Sequence, residues 1–126
     1  MAGVIDAVLT LKNIRSYCAS KKGVTEDFPF DFSTLVFKVG GKIFALTNID
    51  SGKLFLNLKC DPYLSIELRS RYHQITPGYH MNKRHWNTVL VDGSIPDKEI
   101  YKLLDHSYGL VRRGLNKSMS EHIERL

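Results

Sequence analysis

At 126 residues, with 43% hydrophobic side chains, the chain is long and apolar enough to bury a core without cross-links and is not a disordered polycation. Its formal net charge of +5, from 18 Lys and Arg against 13 Asp and Glu, favours polyanionic partners and says nothing about fold. No apolar run reaches the roughly 18 residues of a membrane span, and "MAGVIDAVLTLKNIR" lacks the basic start and cleavage site of a secretory signal, so a cytoplasmic protein with no membrane partner is expected.

In chain order, Val4, Ala7, Leu11, Ile14 and Cys18, with Val8 beside them, recur at helical spacing and predict an amphipathic helix over about residues 4–20. Lys21 and Lys22 place cations in its last turn, and Gly23 stops it. "TEDFPFDFS" reads as a loop. "LVFKV" and "KIFAL" flank Gly40-Gly41, a hairpin whose primed turn needs positive φ at both central residues. "NIDSGK" is a second turn and "LFLNLKC" a third strand. Asp61-Pro62 opens a short helix, with Asp as the cap and Pro at the first helical position. That helix turns Leu64 and Leu68 inward and ends near Tyr72.

The next stretch, "TPGYHMNKRHWNTV", is the densest in the chain. Pro77-Gly78 reads as a turn, "YHM" as a short extended piece, "NKRH" as a tip and "WNTVLV" as a strand. Ser94 and Asp97 then resemble a capping box for the last helix, with Pro96 in its first turn. Ile100, Leu103, Leu104, Ser107, Tyr108, Val111 and Leu115 share one face of that helix. The order αβββαββα predicts a single two-layer α+β domain, with helices on one face of an antiparallel sheet.

The blocks "GVTEDFPF", "VFKVGGKIFAL", "KCDPYLSIELR", "PGYHMNKRHWNTV" and "DHSYGLV" resemble, in order and spacing, the signature blocks of the YjbR/MmcQ family of small bacterial proteins. The resemblance spans about Ile5 to Arg113. It implies a two-layer α+β fold, compared with bacterial frataxin and with secretion chaperones. It also implies a DNA-binding role through a double wing of hairpins, and it transfers no active site.

The residues themselves offer little chemistry. His80 and His85 are five apart, off one helical face and on opposite faces of a strand, so only a turn brings both to one ion. The first helix carries Asp6 against Lys12, Arg15, Lys21 and Lys22, not the acidic ridge that iron binding on a frataxin-like fold needs. No metal or cofactor is expected. Asp105, His106 and Ser107 are triad residue types but consecutive on a helix, where near neighbours do not face each other. Cys18 and Cys60, outside any ligand spacing, are expected to be reduced and buried.

The surface with a clear character is basic. From Leu68 to Val91 there is no Asp or Glu. Arg69, Arg71, Tyr79, His80, Asn82, Lys83, Arg84 and His85 are the candidate nucleic-acid contacts, since cations neutralise phosphates and aromatic faces stack on exposed bases. Further basic clusters lie at Lys21 and Lys22 and at Arg112, Arg113 and Lys117. Trp86 is expected to anchor the core with Val89 and Val91, although strand alternation sets Trp86 opposite those two. The alternative is a protein-interaction module or homodimeric chaperone-like adaptor; an enzyme has the least support. Monomer and weak homodimer both fit.

Overall fold

The structure, a computed structural model, describes residues 8–126. Ten elements follow one another: α1 (Leu11–Ala19), β1 (Val24–Asp27), β2 (Thr34–Val39), β3 (Lys42–Asn48), β4 (Phe55–Lys59), α2 (Pro62–Arg71), β5 (Ile75–Pro77), β6 (Trp86–Leu90), α3 (Asp97–Arg113) and α4 (Lys117–Glu124). The strands form one sheet in the order β1-β2-β3-β4-β6-β5, and every neighbouring pair is antiparallel. The α+β architecture expected from the sequence is present, with two elements more than the predicted order holds.

The added elements are a strand and a helix. Thr25–Asp27, expected at the start of the loop, instead joins Val24 and pairs with β2 as a short, charged edge strand, a form that resists edge-to-edge association. After Gly114 closes α3, Asn116 caps a short α4 through the Met119 amide, and Ile123 is buried. α1 begins at Leu11, because the Thr10 hydroxyl takes the Asn13 amide while the Asn13 side chain takes the Thr10 amide. The helical reading of Val4 and Ala7 lies outside the described residues.

Two start signals need correcting. α3 is preceded by Pro96 with no side-chain cap, and the Ser94 amide is taken instead by the Asp92 carboxylate. The strand before the basic tip is Ile75–Pro77 rather than "YHM"; Pro77 is tolerated there because β5 lies at the sheet edge. α2 is capped as expected, with the Asp61 carboxylate accepting from the Tyr63 and Leu64 amides.

Cross-strand partners share a face. One face carries Leu35, Phe37, Ala45, Leu56, Leu58, Val89 and Ile75, all buried, and the helices cover it. Register shifts between Phe37 and Lys38, so Phe44 is an extra residue in β3 that also turns into this core. Its ring meets Tyr108 edge-on at 5.5 Å. The next residue inward on α3, Ser107, is fully buried. Its hydroxyl donates to the Phe44 carbonyl at 2.5 Å and accepts the Lys59 amide at 2.9 Å. Ser107 therefore joins β3 to β4 one residue beyond Ala45↔Leu58, their last direct pair.

The other triad-type neighbours separate as helical geometry requires. Asp105 accepts from the Tyr17 hydroxyl at 2.7 Å and pairs with Lys21. Partial burial works against its ionisation, but those bonds outweigh it and hold the carboxyl below its ordinary range. His106 accepts the Asp61 amide through Nε2 at 3.1 Å, and burial lowers its pKa, the direction that favours an accepting ring nitrogen. Both cysteines are buried and free, and burial pushes the Cys18 thiol to about 12.

Ser107→Ala leaves a buried carbonyl and a buried amide without their partner. It should lower stability by about 1–3 kcal/mol, read as a shifted midpoint in urea unfolding. A midpoint equal to wild type would show that the two strands close up without the hydroxyl.

Candidate nucleic-acid interface

Chain direction alone gathers the basic residues. β2 runs up to the Gly40-Gly41 turn, where φ is 59° and 79°, and β3 runs back down. β4 then runs up to Lys59, and the β5–β6 connection, residues 78–85, lies at the same end because β6 is antiparallel to β4. The end of α3 arrives there too, since Leu115 packs against Gly40 and Gly114 borders the same groove as Gly41. Both hairpin tips thus share one end of the sheet. The exposed Phe28, Phe30 and Phe32 sit in the loop between β1 and β2, at the opposite end.

The eight expected contacts divide by role. Arg69 holds the hairpin from within: its guanidinium donates to Asn87 Oδ1 at 2.7 Å and to the Lys83 and Trp86 carbonyls at 2.5 and 3.2 Å. Asn87 is buried and donates onward to Ser65 Oγ on α2 at 3.2 Å. Arg71 pairs with Glu67 one turn earlier on its own helix, at 2.8 Å. Asn82 caps the tip, its Oδ1 taking the Arg84 amide at 3.0 Å.

The remaining five shape or present the tip. Tyr79 is 69% exposed and lies 4.0 Å, ring to ring, from His80, which adopts a left-handed φ of 59°. The Tyr79 amide is fastened to Thr88 Oγ1 at 2.9 Å. Lys83 is exposed and reaches back to the Gly78 carbonyl at 3.0 Å. Arg84 is exposed, and its guanidinium has no bonding partner among the described residues. His85 is half-buried, and its carbonyl takes the Cys60 amide. Gly78 lets the connection cross β6 closely: a Cβ there would lie 2.8 Å from the Trp86 Cβ.

Trp86 does not anchor the core. It pairs with Lys59 at the end of β4–β6, opposite in strand parity to Val89, and is half-buried outside the apolar cluster, at the sheet end where Leu110 and Val111 of α3 border the same groove. Strand parity already set it opposite Val89; the core took the valine.

Lys42 and Lys59, absent from the residues expected from the sequence, line a groove beside the tips. Trp86, Gly41, Ile43, Leu110, Val111 and Gly114 line it with them, and no carboxylate does. Lys42 was legible as a cation beside the Gly-Gly turn, but Lys59 joins it only through strand order. Of the other basic clusters, Lys21, Arg112 and Lys117 pair with Asp105, Glu124 and Glu121. Arg113 is exposed at the groove end of α3. Among the described residues, no three His, Cys, Asp or Glu side chains come together to hold a metal ion, and no helix is long and apolar enough to cross a membrane.

The YjbR family model matches residues 19–110. The chain belongs to the YjbR family. Similar YjbR relatives include uncharacterized protein YjbR of Escherichia coli K12, 35% identical over 100 residues that cover 79% of this chain and 85% of the relative. Uncharacterized protein YyaQ of Bacillus subtilis is 32% identical, covering 83% of this chain and all of its own length. A Deinococcus radiodurans crystal structure with a DUF419 domain is 41% identical, with a TM-score of 0.87 over 93% of this chain and 89% of that one. A Pseudomonas syringae protein, 30% identical over 81% of this chain and 98% of its own, has a TM-score of 0.69. The names of these YjbR relatives state no activity.

The division of roles has a direct consequence. Arg69→Ala should destabilise the protein by about 1–3 kcal/mol, because Asn87 and two hairpin carbonyls lose a donor, whereas Arg84→Ala should stay within about half a kcal/mol of wild type. Thermal melts of the two variants distinguish them. Equal losses would mean that the tip is held by Arg84 as well.

Proposed function

We propose that this YjbR-family protein binds nucleic acid non-specifically, through the phosphate backbone, with the end of the sheet where its two hairpin tips meet. The observation that carries the reading is the convergence of Lys42, Lys59, Lys83, Arg84 and Arg113 on that end, with none of the five in an ion pair among the described residues. Seven other cations are neutralised by carboxylates, and Lys12, Lys22, Lys53, Arg69, Lys98 and Arg125 are likewise outside the ion pairs among the described residues, so the reading rests on the clustering at this end and not on the lack of pairing alone. Unpaired cations on two projecting tips suit a chain of phosphates, and the arrangement agrees with the double-wing role that the family resemblance implies for DNA. No reaction is assigned: the site lacks a nucleophile held by a base.

Binding of this kind releases counterions, so affinity for a short DNA should fall steeply with salt, by about 0.9 in log K per log salt for each phosphate neutralised on a duplex. Lys83→Ala with Arg84→Ala should weaken binding and reduce that slope by about two. A salt series followed by anisotropy of labelled DNA measures both. Absence of binding at low salt, or affinity indifferent to salt, would remove the proposal.

A further inference from the structure

The groove between the tips has a composition that phosphate contacts alone do not require. Its volume is about 500 Å³, within the range of pockets that enclose small ligands. It opens where β3 and β4 stop pairing directly, with the Ser107 hydroxyl between the strands below it. Lys42 begins β3 on one side; Lys59 ends β4 on the other, with Trp86 as its cross-strand partner. Ile43, Leu110 and Val111 make the remaining wall apolar. The groove therefore joins a single aromatic side chain, apolar walls and two cations, without an anion.

We propose that this groove takes an unpaired nucleotide, its base against Trp86 and its flanking phosphates on Lys42 and Lys59, so that the polymer this end of the sheet binds is single-stranded. Duplex bases are stacked on one another and cannot present a face to a side chain set inside a groove, whereas every unpaired base offers one. The apolar wall excludes water from one side of the base, and the absence of carboxylates leaves the approach of the phosphates unopposed. Tyr79, exposed and next in sequence to Gly78, which abuts Trp86, offers a second aromatic face nearby. No base edge is read by the named groups, so tolerance of sequence is expected. The inference rests on the nucleic-acid reading above and adds the strand state and the seat of the base.

Trp86 is the only tryptophan in the chain, so its emission reports on this groove alone. The intact protein is titrated at low salt with a labelled oligothymidine of about 12 nucleotides, a duplex of equal length, and an abasic strand of equal charge. Anisotropy reports binding, and Trp86 emission reports the seat. The single strand should quench Trp86 and bind about tenfold more tightly than the duplex or the abasic strand, the size expected for one stacked base. Lys42→Ala with Lys59→Ala keeps the tryptophan and should weaken the single strand by about tenfold with the melting temperature unchanged. Trp86→Phe, which keeps an aromatic face, should retain most of the single-strand preference that Trp86→Ala loses. If all three nucleic acids bind equally and Trp86 emission does not move, the groove is not the seat, although the wider reading stands. If none binds, the wider reading falls with it.

Discussion

A buried hydroxyl stands between two strands at the end of the sheet where the hairpin tips meet. Strands β3 and β4 pair directly only through Ala45↔Leu58 and Leu46↔Asn57. One residue further, the Phe44 carbonyl and the Lys59 amide are joined through Ser107 of α3 instead of to each other. A hydroxyl suits this position because it donates and accepts at once. The arrangement also ties the helix layer to the sheet at its centre. Phe44, the extra residue of the β3 bulge, packs against Tyr108 beside that bridge, and the bulge carries β3 away from strict register as it nears the Gly40-Gly41 tip. The groove lined by Lys42, Lys59 and Trp86 opens where the strands separate.

The second constraint is the disposal of charge. The basic residues divide into those that build and those that are left over. Arg69 is spent on the hairpin, Arg71 on Glu67, Lys21 on Asp105 and Arg112 on Glu124. What remains at the tips is Lys42, Lys59, Lys83, Arg84 and Arg113. A net charge of +5 is therefore a poor description of the surface; what matters is which cations the fold leaves without a carboxylate.

Much of the scaffold was legible because it follows local rules. The Gly40-Gly41 turn, the Asp61-Pro62 helix start and the apolar face of α3 each declare themselves within a few residues. β1 was missed because four residues with two acids carry no strand signature; pairing with β2 makes them a strand. α4 was missed because its apolar contribution rests on Met119 and Ile123, too few to show a period. Pro77 read as a turn, yet at a sheet edge its missing N–H costs no ladder bond.

The candidate site was half legible. The acid-free stretch pointed to one hairpin, but an arginine in a sequence does not announce whether it will hold carbonyls or face water, and Arg69 and Arg84 took opposite fates. Trp86 was misassigned on size, though its parity with Thr88 rather than Val89 held the correct answer. Lys59 could not have been placed, since its meeting with Lys42 and Trp86 depends on β4 lying between β3 and β6.

Chemical-shift mapping tests most directly the proposal that a nucleic acid seats where β3 and β4 diverge. On adding a short oligothymidine to isotope-labelled protein, the largest shifts should fall on the amides of Gly41, Lys42, Lys59 and Arg84 and on the Trp86 indole N–H. The loop from Phe28 to Phe32, at the far end of the sheet, should stay unmoved. Shifts centred on that loop or on α4, with the Trp86 indole unchanged, would contradict it.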